Sequence, residues 1–226
     1  MSGHRPGRRL LPVAAAFTAP VVYALWIRPR LLTWGATPDE TTRTYPGDEL
    51  VPDPDSGGAT MATTLAAPPE RVWPWLVQMG GDRGGWYSWD WLDNNGDPSA
   101  DRIVPEWQHI EVGQHLYRAR KGPTNRFTVV VLEPNRTLVL QSSYGLFGHS
   151  FDPQTDPVPP AYVDGIWGFH LRPAPGGRTR LVVRSRGRSR PRLLTRPLAL
   201  LAWEPVHFIM QTRQFHNLHT RVGADV

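Results

Sequence analysis

Glu204 and His207 stand three residues apart, so on a helix they share one face. A carboxylate and an imidazole in that relation can pass a proton, bond to one another or to a ligand, or ligate a metal. A carboxylate-bridged metal centre needs two Glu-x-x-His units and additional carboxylates. No metal is expected at this pair, nor at His216 and His219, which repeat the spacing with no evident third ligand. Glu106 is the remaining acid–base candidate. The chain has no cysteine, which excludes disulfides, thiolate ligands and a thiol nucleophile. No nucleophile, base and orienting group stand out together. No catalytic residue and no cofactor are therefore assigned. Asp93-Asn94-Asn95-Gly96-Asp97 looks superficially like a calcium loop but lacks the EF-hand spacing and its closing Glu, so it reads as a turn. Gly80-Gly81-Asp82-Arg83-Gly84-Gly85 lacks the Lys-Ser/Thr of a phosphate loop and reads as a turn between helices.

The aromatic residues point elsewhere, to apolar binding. Ten tryptophans are many for 226 residues, and Trp combines large apolar area with one polar handle. Trp86, Tyr87, Trp89 and Trp91 fall close together, with Trp86 and Trp89 spaced for one helix face. They either line the mouth of a pocket or pack the core. Ligand-binding candidates are Trp86, Trp89, Glu106, Trp107, Tyr144, Trp167, Phe169, Trp203, Glu204 and His207. Tyr144 to Ile166 is a long Pro-rich connection, either a gate carrying Tyr144, Phe147, His149 and Phe151 or a surface excursion.

These residues need a frame. Ala59–Leu65 reads as a short strand. Pro68 and Pro69 suit the first turn of a helix running to Met79 and ending at Gly80-Gly81, with Pro74 bending or delaying it. A second short helix is expected over Trp86–Leu92. Gln114–Arg120 reads as a strand. Arg126–Leu132 and Thr137–Ser143 form a hairpin across Glu133-Pro134-Asn135-Arg136. Gly165–Arg172 and Arg178–Arg186 form another, with Trp167, Phe169, Leu171, Leu181 and Val183 inward and Arg180, Arg184 and Arg186 outward. A long helix closes the chain from about Leu193, kinked at Pro205. Leu201, Pro205, Phe208, Thr212 and Phe215 form its apolar stripe. The fold class is α+β, a helix-grip: a curved antiparallel sheet wrapped around a long C-terminal helix, with two short helices after the first strand. Where sheet and helix diverge, a cavity for a small hydrophobic molecule is expected.

Arg5, Arg8 and Arg9 precede Leu10–Ile27, eighteen residues without a charge, and Arg28 and Arg30 follow. That run spans about 27 Å as a helix, near the bilayer hydrocarbon thickness. It reads as a single-pass anchor, a cleaved signal peptide or a helix packed on the body, and flanking Arg at both ends leaves its orientation open. Residues 1–35 form this hydrophobic segment, 36–57 an extended linker rich in Pro, Asp and Gly, and 58–222 the folded body. Residues 1–43 carry net charge +4, 44–177 carry −7 and 178–226 carry +8. An acidic body with basic ends excludes the basic, aromatic-laced face of a nucleic-acid binder. It suits an anionic membrane, contacted through residues 10–27 and through the eight arginines of Arg178–Arg196. A solvated outer strand face is the plainer account of those arginines.

Ala66-Ala67-Pro68-Pro69-Glu70-Arg71-Val72-Trp73-Pro74-Trp75-Leu76 resembles the first strand-to-helix junction of the SRPBCC superfamily, which includes START domains, polyketide cyclases and Bet v 1-like proteins. Gly84 to Asn94, Ser99 to Glu106 and His207-Phe208-Ile209-Met210 resemble a bacterial subgroup of it. So do Trp34-Gly35-Ala36-Thr37 and Pro46-Gly47-Asp48-Glu49-Leu50, as the linker that follows its N-terminal hydrophobic segment. The resemblance spans about residues 58 to 222 and implies the helix-grip fold. It implies less about activity, because the superfamily hosts carriers, hormone binders and cyclases. Binding or carriage of a lipid- or polyketide-like molecule ranks first. A cyclase- or hydrolase-like enzyme using Glu106, Glu204 and His207 ranks second, and a purely structural tethered domain third.

Overall fold

The computed structural model describes residues 21–55, 58–118, 125–145 and 147–224. Its centre is one antiparallel sheet made of β1 (Thr60–Leu65), β2 (His115–Tyr117), β3 (Arg126–Glu133), β4 (Thr137–Gly145), β5 (Tyr162–Ala174) and β6 (Arg178–Arg190). The strand order is β1-β6-β5-β4-β3-β2. After β1 the chain crosses to the opposite edge and returns strand by strand, until β6 pairs with β1 from Thr60↔Arg184 to Leu65↔Thr179. The helices are α1 (Arg28–Leu32), α2 (Pro38–Thr42), α3 (Pro69–Val77), α4 (Asp90–Asp93), α5 (Arg192–Leu198) and α6 (Glu204–Ala224). One π-type turn, Tyr23–Ile27, leads into α1, and a second, Ala199–Trp203, joins α5 to α6. This is the α+β helix-grip expected, with the long C-terminal helix against the concave face of the sheet.

Local chemistry explains most boundaries. α3 starts at Pro69, where no backbone donor is needed. Pro74 does not delay it, because the only bond lost is to the carbonyl of exposed Glu70 in the first turn. Asn135 takes φ of 60° in the β3–β4 turn, a left-handed conformation that Asn tolerates. Pro205 sits at the second residue of α6, directly after the π turn. The wider turn is what accommodates a residue with no N–H in an otherwise continuous helix.

Three expectations are corrected. The helix over Trp86–Leu92 shrinks to Asp90–Asp93, because Tyr87 adopts φ of 58° and breaks any helical run there. The strand at Gln114–Arg120 is confined to His115–Tyr117, and its last residues lie outside those described. The helix stripe is shifted: Leu201 is exposed, while Phe215, Leu218 and Val222 are fully buried. Those three join Leu65, Val72, Trp75, Leu76, Leu138, Phe169 and Leu181 in the core.

The stretch read as an extended linker instead lies as a strap across the outer face of the sheet. α2 opens with a capping box, Thr37 accepting from the Glu40 N–H and Glu40 from that of Thr37. Tyr45 is buried against Ala62 and Val182, and Val51 against Val139 and Ile166. Gly47 has φ of 94°, and a Cβ there would come within 2.8 Å of the Val139 side chain, so only glycine fits. The strap's carboxylates meet the outward arginines. Arg180 donates to both Glu40 oxygens at 2.9 and 2.7 Å, and Arg172 joins at 3.1 Å. Arg184 donates to both Asp48 oxygens at 3.1 and 3.2 Å. Arg190 and Arg192 hold Asp55 at 2.9 and 2.5 Å. The arginine row thus clamps the strap. Arg180, Arg184, Arg186, Arg188, Arg190 and Arg192 all pair with carboxylates of this chain, not with solvent alone.

Candidate functional site: the open half of the grip

Cross-strand register places the inward residues of β4, β5 and β6 in rows. The first rows are large: Leu138, Phe169 and Val183, then Leu140 and Trp167. The next are small. Trp167 pairs with Ser185, Ser142 with Gly165 and Gly165 with Gly187; a final row brings Tyr144, Val163 and Ser189 together. Side chains of one face alternate along a strand, so the outward partners are Asp164, Ile166 and Gly168. Burial is inverted relative to an ordinary sheet. Ile166 is buried beneath the strap, Asp164 among Gln141, Ser143 and Arg188, and Gly168 beside His170 and Val139, whereas inward Val163, Gly165 and Trp167 keep partial access to solvent. A Cβ added at Gly187 would meet only backbone atoms of Asp164 and Gly165, at 3.5 and 4.0 Å. The concave face is therefore packed at one end and forms an open trough at the other.

The closed end of the trough is aromatic. Trp167 lies 4.7 Å from Phe169, 5.7 Å from Trp86 and 5.9 Å from Phe127 between ring centroids. Trp86 and Phe127 meet edge-on at 5.2 Å. A polar chain holds these rings in place. Trp167 Nε1 donates to Gln211 Oε1 at 3.2 Å, Gln211 donates to Gln214 at 2.8 Å, and Gln214 donates to the Trp86 carbonyl at 2.8 Å. Trp86 Nε1 donates to the Arg118 carbonyl at 2.9 Å. Both glutamines are buried and satisfied, which fixes α6 against the tryptophans.

The roof comes from the helix. His207 Nε2 lies 3.2 Å from Ser185 Oγ, directly above the first small row. Burial pulls its pKa down to about 4, so the ring is neutral at pH 7. Trp203 stacks on it at 6.3 Å and is itself half exposed. Beyond them, Ser189 donates to Thr195 at 2.8 Å and ties α5 to the end of β6.

Of the ten expected ligand residues, Trp86, Trp167, Tyr144, Trp203 and His207 come together around this trough. Phe169 belongs to the solid core at its edge. Glu204 turns away: its carboxylate is buried and held by Arg28 at 2.6 and 2.8 Å. Glu204 and His207 thus share a helix face by spacing but take different partners, Arg28 and Ser185, and no hydrogen bond joins the two. Trp89 packs on the far side of α6 beneath the Arg213 guanidinium at 4.6 Å. Glu106 is exposed on the 3-10 turn Pro105–Trp107, and Trp107 is half-buried there, with Gln108 anchoring the turn to α3 through the Pro74 carbonyl. Among the described residues no cluster of three His, Cys, Asp or Glu could hold a metal.

Sequence reasoning passed over Ser142, Gly165, Ser185, Gly187 and Gln211. A signal was present: Ser185, Gly187 and Ser189 alternate with Arg184, Arg186, Arg188 and Arg190. Small residues at successive inward positions mark missing volume as clearly as large ones mark a core. Asp93, read from the sequence only as part of a turn, is half-buried. Burial, with nearby Asp90, raises its pKa to about 6. Two further cavities open on the outer face where the strap meets the sheet. One of about 550 Å³ is lined by Arg126, Gln141, Ser143, Asp152 and Asp156 among others, and one of about 310 Å³ by Arg43, Asp48, Glu49, Arg184 and Arg186 among others. Both carry charged side chains in their lining, unlike the aromatic-ended trough.

No protein-family model matches the chain. No curated protein matches it either. Solved structures do. Protein MLL2253 from Mesorhizobium loti is 22% identical over 73% of this chain and 97% of its own, with a TM-score of 0.39. CalU16 from Micromonospora echinospora is 14% identical over 80% and 92%, with a TM-score of 0.33. The Aha1 dimer from Colwellia psychrerythraea is 16% identical over 71% and 96%, with a TM-score of 0.34. At such identities and scores these likenesses carry no argument, and fold and site rest on this chain's own geometry.

Proposed function

We propose that the protein binds a small hydrophobic molecule in the trough between α6 and the inner faces of β4, β5 and β6. The observation that carries this is the inverted burial along β5, where inward Val163, Gly165 and Trp167 are accessible while their outward neighbours are covered. A floor of small residues (Ser142, Gly165, Ser185, Gly187) closed at one end by aromatic rings, with the neutral His207 above it, suits a ligand with an apolar body and one polar end. The same element order and the junction at Pro68-Pro69 support an SRPBCC-type reading, with a lipid- or polyketide-like molecule as cargo. A hydrolase- or cyclase-like reading has less behind it, since Glu204 is neutralised by Arg28 and Glu106 is exposed.

We further propose a tether to the membrane through residues 10–27. Leu10 to Pro20 lie outside the described residues. Among the described residues no helix is long and apolar enough to cross a bilayer. Support comes from Val21, Val22, Leu25, Trp26 and Ile27, the helical end of that run, which remain exposed.

The test of cargo binding is direct. Organic extraction and native mass spectrometry of the purified full chain should reveal a bound apolar molecule. Gly187→Leu should empty the trough without touching the core. A chain that carries nothing, and whose Trp fluorescence ignores added apolar probes, ends the carrier reading.

A further inference from the structure

A surface at one end of the molecule exposes a run of large apolar side chains. Leu193, Leu194, Leu198, Leu201 and Trp203 are between 50 and 89% exposed, and they lie along twelve consecutive residues, Arg192 to Trp203, in α5 and the π turn. Only Thr195, Ala199 and Leu200 in that stretch are even partly covered. The segment is tied to the end of β6 through Thr195 and Ser189, and its large apolar side chains are left uncovered. Large apolar side chains exposed in one contiguous patch mark a docking surface.

What covers the patch follows from its neighbour. Tyr23 Oη donates to the Leu200 carbonyl at 3.0 Å, and Arg28 pairs with Glu204. The segment thus runs alongside Val21–Ile27, the end of the apolar run that begins at Leu10, and the two present exposed Leu, Val, Ile and Trp side by side. Charge agrees. Arg196 lies within the segment and Arg30 beside it, the basic side chains left over once Arg28 pairs with Glu204 and Arg190 and Arg192 with Asp55. Twelve helical residues span about 18 Å, slightly more than one leaflet of hydrocarbon. Apolar side chains around the circumference, flanking Arg and Trp at the base are the composition of an interfacial membrane element.

We propose that Leu193–Trp203 is a second membrane-contacting element, an apolar wedge that enters one leaflet of an anionic bilayer beside the N-terminal tether. It goes beyond the tether, because it assigns membrane contact to a segment 170 residues later in the chain, joined to it by Tyr23–Leu200 and Arg28–Glu204. It also places the trough, whose roof includes Trp203, at the lipid surface, so that apolar cargo exchanges with the bilayer and not with water.

The natural absence of cysteine makes the test clean. Full-length Leu198→Cys, Leu25→Cys and, as a control on the β3–β4 turn, Pro134→Cys are each labelled with an environment-sensitive fluorophore. They are mixed with phosphatidylcholine/phosphatidylglycerol vesicles carrying brominated acyl chains. The labels at positions 198 and 25 should both shift to the blue and be quenched by bromine, and the label at 134 should do neither. Leu198→Asp with Leu201→Asp should lower vesicle partitioning by about tenfold or more with melting unchanged, since both side chains are exposed. Quenching at 25 but not at 198 overturns the wedge and leaves the tether standing. Quenching at neither overturns both. A label at 198 already shielded without lipid means that another part of the chain or a second copy covers the patch, which also overturns the proposal. None of these outcomes depends on cargo in the trough.

Discussion

Trp167 lies directly across the β5–β6 ladder from Ser185, and the concave face changes from packed to open at this pair. On one side Phe169 meets Val183; on the other Gly165 meets Gly187. The site is thus a boundary within a single sheet, not a separate subdomain.

Filling the trough tests that boundary. Gly187→Leu places a side chain where only backbone lies within 4 Å. Binding of an apolar fluorescent probe should be lost, while the denaturation midpoint moves by no more than about 0.5 kcal/mol. A midpoint that collapses instead would mean the region is already packed.

The Arg28–Glu204 pair fastens the N-terminal helix to α6. Arg28→Ala strands a carboxylate that is only 6% exposed. A loss of about 2–3 kcal/mol in urea denaturation is expected. Arg28→Ala with Glu204→Gln should recover part of it, because no unpaired charge remains. Equal losses in both would assign the effect to packing.

Acid should weaken the fold in two stages. Burial holds His170 and His207 near pKa 4, so between pH 6.5 and 4 the unfolded chain binds protons that the folded chain refuses, and stability falls as pH falls. Below pH 4.5 a second loss begins. Arg180, with Arg172 assisting, lowers Glu40 to about 2, so the stability of that pair vanishes as pH falls through this value. His170→Gln should flatten the melting profile between pH 6.5 and 4 and leave the lower stage intact. An unchanged upper slope would exclude His170 as its source.

Asp93 has the opposite sign. Its pKa is raised to about 6 from 3.8, so ionisation imposes a penalty that grows as pH rises across that interval and persists above it. Asp93→Asn should stabilise the protein at pH 7 by about 1 kcal/mol and have no benefit at pH 3.5, the magnitude tempered by residual solvent contact. A variant equally stable at both values relative to the parent would remove this account.

The strap makes residues 33–55 part of the folded unit. A chain beginning at residue 58 would uncover Val139, Ile166 and Val182 and leave Arg172, Arg180, Arg184, Arg186, Arg190 and Arg192 without the strap's acids. Such a chain should aggregate in light scattering, whereas one beginning at residue 28 should stay monodisperse. A soluble, cooperatively melting chain from residue 58 would show that the strap is dispensable.

Sequence periodicity was enough for the sheet, its two long hairpins and the closing helix, because alternation along a strand and spacing along a helix are local properties of the chain. The aromatic end of the site was legible for the same reason: Trp167 and Phe169 fall inward by parity alone. Tyr87 was not, since its left-handed backbone is imposed by packing under α6 and overrides the helical spacing of Trp86 and Trp89. Neither was the separation of Glu204 from His207. Adjacent turns of a helix place two side chains near each other, but their partners, Arg28 and Ser185, come from opposite ends of the chain. The linker became a strap for a related reason: its acids and the arginines that bind them are about 140 residues apart, and only folding gives them one another. What the residues determined by themselves was which face each side chain takes; which faces stay uncovered was decided by long-range contacts, because exposure is a property of what the rest of the chain does not reach.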